Sequence, residues 1–260
     1  MQRPFHARRY SGFAAAALAA AILLGGCAFL RPTPAPLRTL DLRVGSGRPA
    51  RTLVVLLPGR FDSPEDFSRA GFAELAARAG AAVDLVAVDA HLGYYRNRTV
   101  VDRLREDVIA PARGRYDQIW LAGISLGGTG ALLYTVEHPE DVSGILLLAP
   151  FLGEEAVVDE IVAAGGPRRW APPDPLPGED FQRRLWAWLK RYQEGSEGQI
   201  PLYLGWGVRD DFAPANAVLG GLLPADRVYT AEGGHGWKAW TALWEKFLQS
   251  GALPERPLTP

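Results

Sequence analysis

The sequence predicts an α/β protein, built as a mostly parallel, doubly wound sheet with helices on both faces. Three observations predict it. Apolar runs of strand length recur along the chain, among them Thr52–Leu57 (TLVVLL) and residues 142–149 (VSGILLLA). They alternate with segments whose apolar residues fall at helical spacing, a rhythm that makes strands parallel and packs helices over the sheet. A glycine-flanked pentapeptide, Gly123-Ile124-Ser125-Leu126-Gly127, stands at one join between such a run and such a helix.

In chain order, residues 1–26 read as a cleaved leader: Arg3, Arg8 and Arg9 precede an alanine- and leucine-rich stretch too short to span a bilayer comfortably. Residues 27–37, with three prolines, read as an extended tether that cannot pair into a sheet. A domain over residues 38–253 follows. Residues 40–44 alternate like an edge strand, with Gly45-Ser46-Gly47 turning it. The TLVVLL run has no polar face, as expected of a strand covered on both sides. Ser63 is an N-cap with Pro64 in the first turn, opening a helix that carries Phe67, Phe72, Leu75 and Ala76 to Gly80.

Residues 82–88 (AVDLVAV) form the next strand, leading into a loop with His91, Tyr94, Tyr95 and Arg96. The carboxyl end of a parallel strand is where such sheets hold ligands, so these four are candidates to line a pocket. A helix follows over 99–110, closed by Pro111. Residues 117–122 are a buried strand, and 126–137 a helix ending before His138-Pro139. Residues 151–199 break the rhythm with proline-dense stretches and an aromatic helix over 180–192, so they are an insertion rather than a connection. Strands at 200–206 and 226–229, an amphipathic helix over 237–249 and a tail at 254–260 complete the chain. Trp237, Trp240 and Trp244 share one helical face and read as core.

Composition narrows the function classes. At 48% hydrophobic and 22% charged, the 260 residues suit one sizeable core. A net charge of -1 without a basic stripe argues against a nucleic-acid partner. One cysteine rules out an internal disulfide framework or a thiolate metal cluster, and the four histidines show no metal-ligand spacing. Neither a metal nor a cofactor is expected.

The chemistry sits at the pentapeptide. A strand, G-x-S-x-G and a helix describe a nucleophile elbow, a turn so tight that the serine is strained and its two flanks must be glycine. An elbow serine needs a base to take its proton and a carboxylate to hold that base in the right tautomer. On such a sheet both follow the serine, in loops after strands. Gly207-Val208-Arg209-Asp210-Asp211 follows one strand directly, and Gly233-Gly234-His235 follows the last. Of the other histidines, His6 is in the leader, His91 belongs to the candidate pocket loop, and His138 ends the helix after the elbow.

From about Thr52 to Leu248 the chain resembles the α/β-hydrolase superfamily. The resemblance implies Ser125 as nucleophile, His235 as general base and Asp210 as acid, the last because G-x-x-D with proline four residues on matches Gly207, Asp210 and Pro214. A shifted register brings in Asp211 instead. The oxyanion donors expected are the backbone N–H groups of Leu126 and, in the loop after TLVVLL, Arg60, with Phe61 the alternative. This loop lacks the histidine usual before its glycine; Pro58 stands there. The superfamily grows lids between its sixth and seventh sheet strands, where residues 151–199 fall. Trp170, Phe181, Trp186, Trp188 and Leu189 are expected to spread apolar surface over the serine.

Leu24-Gly25-Gly26-Cys27 resembles the lipobox of bacterial lipoproteins, and holds the chain's one cysteine. That implies lipidation of Cys27 and anchoring to a membrane of the bacterial envelope, with Ala28 next to it pointing to the outer membrane facing the periplasm. The expected activity is hydrolysis of a carboxylic ester or thioester through an acyl-enzyme, on a small-molecule substrate. The same triad also serves acyl transfer and peptide cleavage, and the fold also serves as a non-catalytic envelope-binding module.

Overall fold

A computed structural model describes residues 31–42, 44, 50–194 and 199–255. Seven strands form one sheet: β1 (Thr39–Leu42), β2 (Thr52–Leu57), β3 (Val83–Val88), β4 (Gln118–Ile124), β5 (Gly144–Leu148), β6 (Leu202–Gly207) and β7 (Val228–Ala231). Their order across the sheet is β1-β3-β2-β4-β5-β6-β7. β1 runs antiparallel to β3, and all other pairs are parallel. The carboxyl ends of β2 to β7 therefore share one edge of the sheet.

Every residue of β2 is buried, and alternation along it divides the core in two. Leu53, Val55 and Leu57 face one layer with Leu104, Leu121, Leu132 and Trp186. Val54 and Leu56 face the other, with Phe67, Phe72, Trp240, Trp244 and Phe247. Two covered faces are what an unbroken apolar run predicts. Trp240 and Trp244 are core, as their spacing implies.

The helices differ from expectation in several places, with helices at Leu92–Arg96 and Glu155–Ala163 standing where none was expected. The helix expected from Ser63 to Gly80 is two, α1 (Pro64–Arg69) and α2 (Phe72–Arg78), because Gly71 takes a left-handed φ of 73° between them. After α3 (Leu92–Arg96), α4 (Val100–Leu104) continues through a π turn (Arg105–Ile109) into Ala110–Ala112, so Pro111 lies inside its last turn. α5 (Leu126–Glu137) is as expected, and the insertion supplies α6 (Glu155–Ala163) and α7 (Phe181–Leu189). α8 (Ala213–Gly220) was not legible as a helix, and α9 (Trp237–Leu248) closes the fold.

Residues 31–37 are not a loose tether. Arg31 pairs with Asp89, the Pro32 carbonyl meets His91 Nε2 at 3.0 Å, and Tyr94 donates its hydroxyl to the Pro34 carbonyl at 2.8 Å. The Leu37 side chain is buried, and its N–H donates to Asp107 at 2.7 Å. Proline withholds N–H groups from a ladder, but its carbonyls still accept, and this strap uses them. The tail is not free from residue 254 either: Ala82 N–H donates to the Pro254 carbonyl at 2.7 Å, and Glu255 bridges Ala81. The leader, Cys27 and the Gly45-Ser46-Gly47 turn lie outside the described residues.

Counted along this chain, the insertion falls between β5 and β6 rather than between a sixth and a seventh strand, because the sheet has one strand fewer ahead of it than that count assumes. Its aromatics are mostly not spread over the serine. Trp170, Trp186 and Leu189 are buried in the core layer under α5. Trp186 donates Nε1–H to the Leu152 carbonyl at 2.8 Å, and Trp170 donates to Glu160 at 2.8 Å. Buried indoles find acceptors, and here those acceptors are within the insertion itself. Trp188 packs at the layer's margin, edge-on to Tyr192 at 5.5 Å.

Candidate active site

Ser125 ends β4 and opens α5 with φ 52° and ψ −116°, a conformation a side chain rarely adopts. Both flanking glycines are required by contact. A Cβ on Gly123 would run into the backbone of Gly127 and Gly128, and one on Gly127 would meet the carbonyls of Leu57 and Pro58. The turn is pinned by Ser125 N–H to the Leu148 carbonyl at 2.9 Å and Phe151 N–H to the Ser125 carbonyl at 3.1 Å.

His235 Nε2 lies 2.9 Å from Ser125 Oγ, and His235 Nδ1 lies 2.8 Å from Asp210 Oδ2. The Asp210 side chain is wholly buried, and its other oxygen accepts from the Phe212 N–H at 2.8 Å. An ionised carboxylate so placed accepts only, so Nδ1 carries the hydrogen and Nε2 is left to accept from the serine hydroxyl. Asp211, the alternative acid, is exposed. The two loops holding the pair are stitched together by Val208 N–H to the Ala231 carbonyl and Arg209 N–H to the Gly233 carbonyl, both 2.9 Å. A Cβ on Gly207 would come within 2.6 Å of the Gly233 carbonyl, so this seam needs glycine. Phe212 and Trp240 set their rings edge-on to the imidazole at 4.9 and 5.1 Å, restricting its rotation.

The loop after β2 turns back on itself, Asp62 N–H donating to the Gly59 carbonyl at 3.2 Å, with Arg60 and Phe61 exposed at its tip. Gly59 abuts Ser125: a Cβ on Gly59 would lie 3.5 Å from Ser125 Cβ. Asp62 was not among the residues singled out from sequence. Its carboxylate accepts from Trp237 Nε1–H at 2.9 Å, joining this loop to the first turn of α9, two residues after His235. Burial pushes the Asp62 carboxyl above its ordinary value, opposed by the Trp237 hydrogen bond and the nearby imidazole. No local pattern marks it, since Ser63-Pro64 after it reads only as a helix start.

A cavity of about 470 Å³ adjoins the elbow on the α3 side. Leu126, Leu133, Tyr95, Val101 and Phe181 give it apolar walls, and Arg96, Arg98 and Arg184 stand with Glu137 and Glu179 among its lining. Of the expected pocket loop, Tyr95 and Arg96 reach this cavity. His91 and Tyr94 do not: His91 caps α3, accepting from Gly93 N–H at 3.1 Å, and both are buried under the strap. Of the insertion's expected aromatics, Phe181 alone is in the cavity wall.

The fold is similar to those of known proteins. The fold matches FphF, a fluorophosphonate-binding serine hydrolase of Staphylococcus aureus, over 84% of this chain and 100% of that one, at TM-score 0.53 and 14% identity. It matches Est1E of Butyrivibrio proteoclasticus over 83% and 95%, at TM-score 0.55 and 16% identity. It matches TT1662 of Thermus thermophilus over 82% and 96%, at TM-score 0.51 and 21% identity. Comparison with curated proteins returns no match. A family profile described as the alpha/beta hydrolase family matches residues 54–259, so the chain belongs to the alpha/beta hydrolase family.

Proposed function

We propose that this hydrolase-family protein is a lipid-anchored serine hydrolase that cleaves a carboxylic ester or thioester through an acyl-enzyme. The observation that carries the reading is the continuous chain from Ser125 Oγ through His235 to Asp210, at 2.9 and 2.8 Å. Ser125 Oγ attacks the carbonyl carbon as its proton passes to His235 Nε2. The imidazolium, held by Asp210, then gives that proton to the leaving alcohol or thiol as the C–O or C–S bond breaks. Water repeats the sequence on the acyl-enzyme, releasing the acid and restoring the serine. Backbone N–H groups of Leu126 and Arg60 are the proposed oxyanion donors, the first aided by the dipole of α5.

The cavity beside Leu126 fits an apolar acyl group, being within the size range of small-molecule sites and walled by leucine, valine and aromatic side chains. Est1E of Butyrivibrio proteoclasticus, similar in fold, binds ferulic acid, and binding of an acyl group of that kind is proposed for this chain. Anchoring is proposed through Cys27 of the Leu24-Gly25-Gly26-Cys27 sequence, with the domain held at a membrane of the bacterial envelope. Ser125→Ala tests the mechanism: the variant keeps its fold by circular dichroism but loses fluorophosphonate labelling and ester turnover. Labelling at the wild-type level in that variant would overturn the assignment.

A further inference from the structure

We propose that the edge of the sheet bearing Ser125, Asp210 and His235 lies against the bilayer, so that the substrates are membrane-resident acyl esters. The inference rests on the anchoring proposed above and extends it to an orientation and a substrate class.

The strap sets the orientation. β1 is antiparallel, with Thr39 opposite Val88 at the end of β3, so residues 31–38 enter the fold at the carboxyl edge of the parallel strands. That is the edge where Ser125 follows β4 and His235 follows β7. Arg31 is fastened there to Asp89, and Pro32 and Pro34 to His91 and Tyr94. Four residue steps separate Cys27 from Arg31, a reach of at most about 14 Å. β3 and β4 are separated by β2, so the exit point is roughly 10 Å across the sheet from the serine. A lipid on Cys27 therefore holds this edge, and not the opposite one, at the membrane.

The surface at that edge suits a bilayer interface. Among the described residues three large apolar side chains are exposed: Phe61, Val162 and Val208. Phe61, 79% exposed, projects from the loop after β2, and Val208 from the loop after β6, on either side of the serine. Arg60 and Arg98, in loops, and Arg96, at the end of α3, are exposed on the same edge, suited to lipid phosphates. Exposed apolar side chains and arginines on one edge of the sheet fit an interface better than open water.

The experiment uses the full lipidated chain in phosphatidylethanolamine–phosphatidylglycerol vesicles. With Cys27 acylated, Phe61→Cys supplies the one free thiol for an environment-sensitive dye, and Arg115→Cys, exposed just ahead of β4 at the opposite edge, is the control. The dye at position 61 is expected to shift to the blue and lose at least half its emission to brominated acyl chains, while the dye at 115 is unchanged. Vesicle flotation separates the two claims. A protein that does not float defeats the anchoring and this inference with it; a floating protein whose position 61 stays in water, or whose two dyes respond alike, defeats the orientation alone. Cys27→Ser, which removes the anchor, is expected to lower turnover of a vesicle-embedded long-chain ester about tenfold and to leave turnover of a soluble acetyl ester unchanged. Equal effects on the two esters would overturn the substrate class.

Discussion

Trp237 donates its indole N–H to Asp62 at 2.9 Å, across 175 positions of sequence, and so ties the loop that abuts Ser125 to the helix that follows His235. Trp237 is itself wedged edge-on against Phe67, Phe72 and Trp240 at 5.2 to 5.9 Å, so the anchor point is rigid. Removing the donor leaves a half-buried carboxylate short of one partner, and a hydrogen bond to a charged group contributes about 1.5–3 kcal/mol. Trp237→Phe and Asp62→Ala are expected to lower kcat about tenfold with little change in KM, because the loop is proposed to supply an oxyanion donor, which acts in the transition state. Asp62→Asn, which still accepts from the indole, should recover most of the loss. Steady-state kinetics on a chromogenic ester check all three.

The same carboxyl makes stability depend on pH. Burial raises its pKa, so the folded protein holds that proton more tightly than the unfolded chain does. Its contribution is therefore fully present below the ordinary carboxylate value and is lost as pH rises through the raised one. Asp62→Asn is expected to remove this slope and to be more stable at neutral pH by up to about 1 kcal/mol, a modest figure because the group is only half-buried. Thermal melts from about pH 4 to about pH 7 would show the two proteins diverging as pH rises.

The two neighbouring acids should separate cleanly. Asp210 is wholly buried and meets His235 Nδ1, whereas Asp211 is exposed. Asp210→Asn is expected to lower kcat about 10⁴-fold by allowing the wrong imidazole tautomer, with Asp211→Asn within about twofold of wild type. Parallel kinetics on the two variants decide the role.

At the elbow, Gly127→Ala sets a methyl group against two carbonyls that cannot yield, those of Leu57 and Pro58. Such overpacking against backbone is expected to cost about 3 kcal/mol and lower Tm by about 10 °C. Differential scanning calorimetry gives both values.

Filling the cavity should change selectivity rather than chemistry. Leu133→Trp places an indole among the walls formed by Leu126, Val101 and Phe181. Turnover of long or aromatic acyl esters is expected to fall at least tenfold, with acetyl esters retained, in a profile across acyl chain lengths.

What was legible in the sequence was local or set by chain order. The elbow declares itself because Gly123 and Gly127 answer contacts within one turn of Ser125. Asp210 and His235 could be found because each directly follows an apolar strand. Asp62 could not, since its partner Trp237 is distant in sequence and reads only as core. The insertion's aromatic helix shows that Trp186 is apolar surface to be covered but not by what, and Trp186 turns inward to Leu152 rather than over the serine. Prolines at 32, 34 and 36 read as a linker because their missing N–H groups are visible in sequence, whereas the use of two of their carbonyls depends on His91 and Tyr94 arriving from β3.

Ser125 and His235 stand 110 positions apart, and the seam between Gly207 and Gly233 that presents His235 lies at the ends of the paired strands β6 and β7. No fragment ending before His235 holds both reacting groups. Under the proposed mechanism such a fragment would be inert toward acyl esters, and activity would require the last parallel pairing, that of β6 with β7.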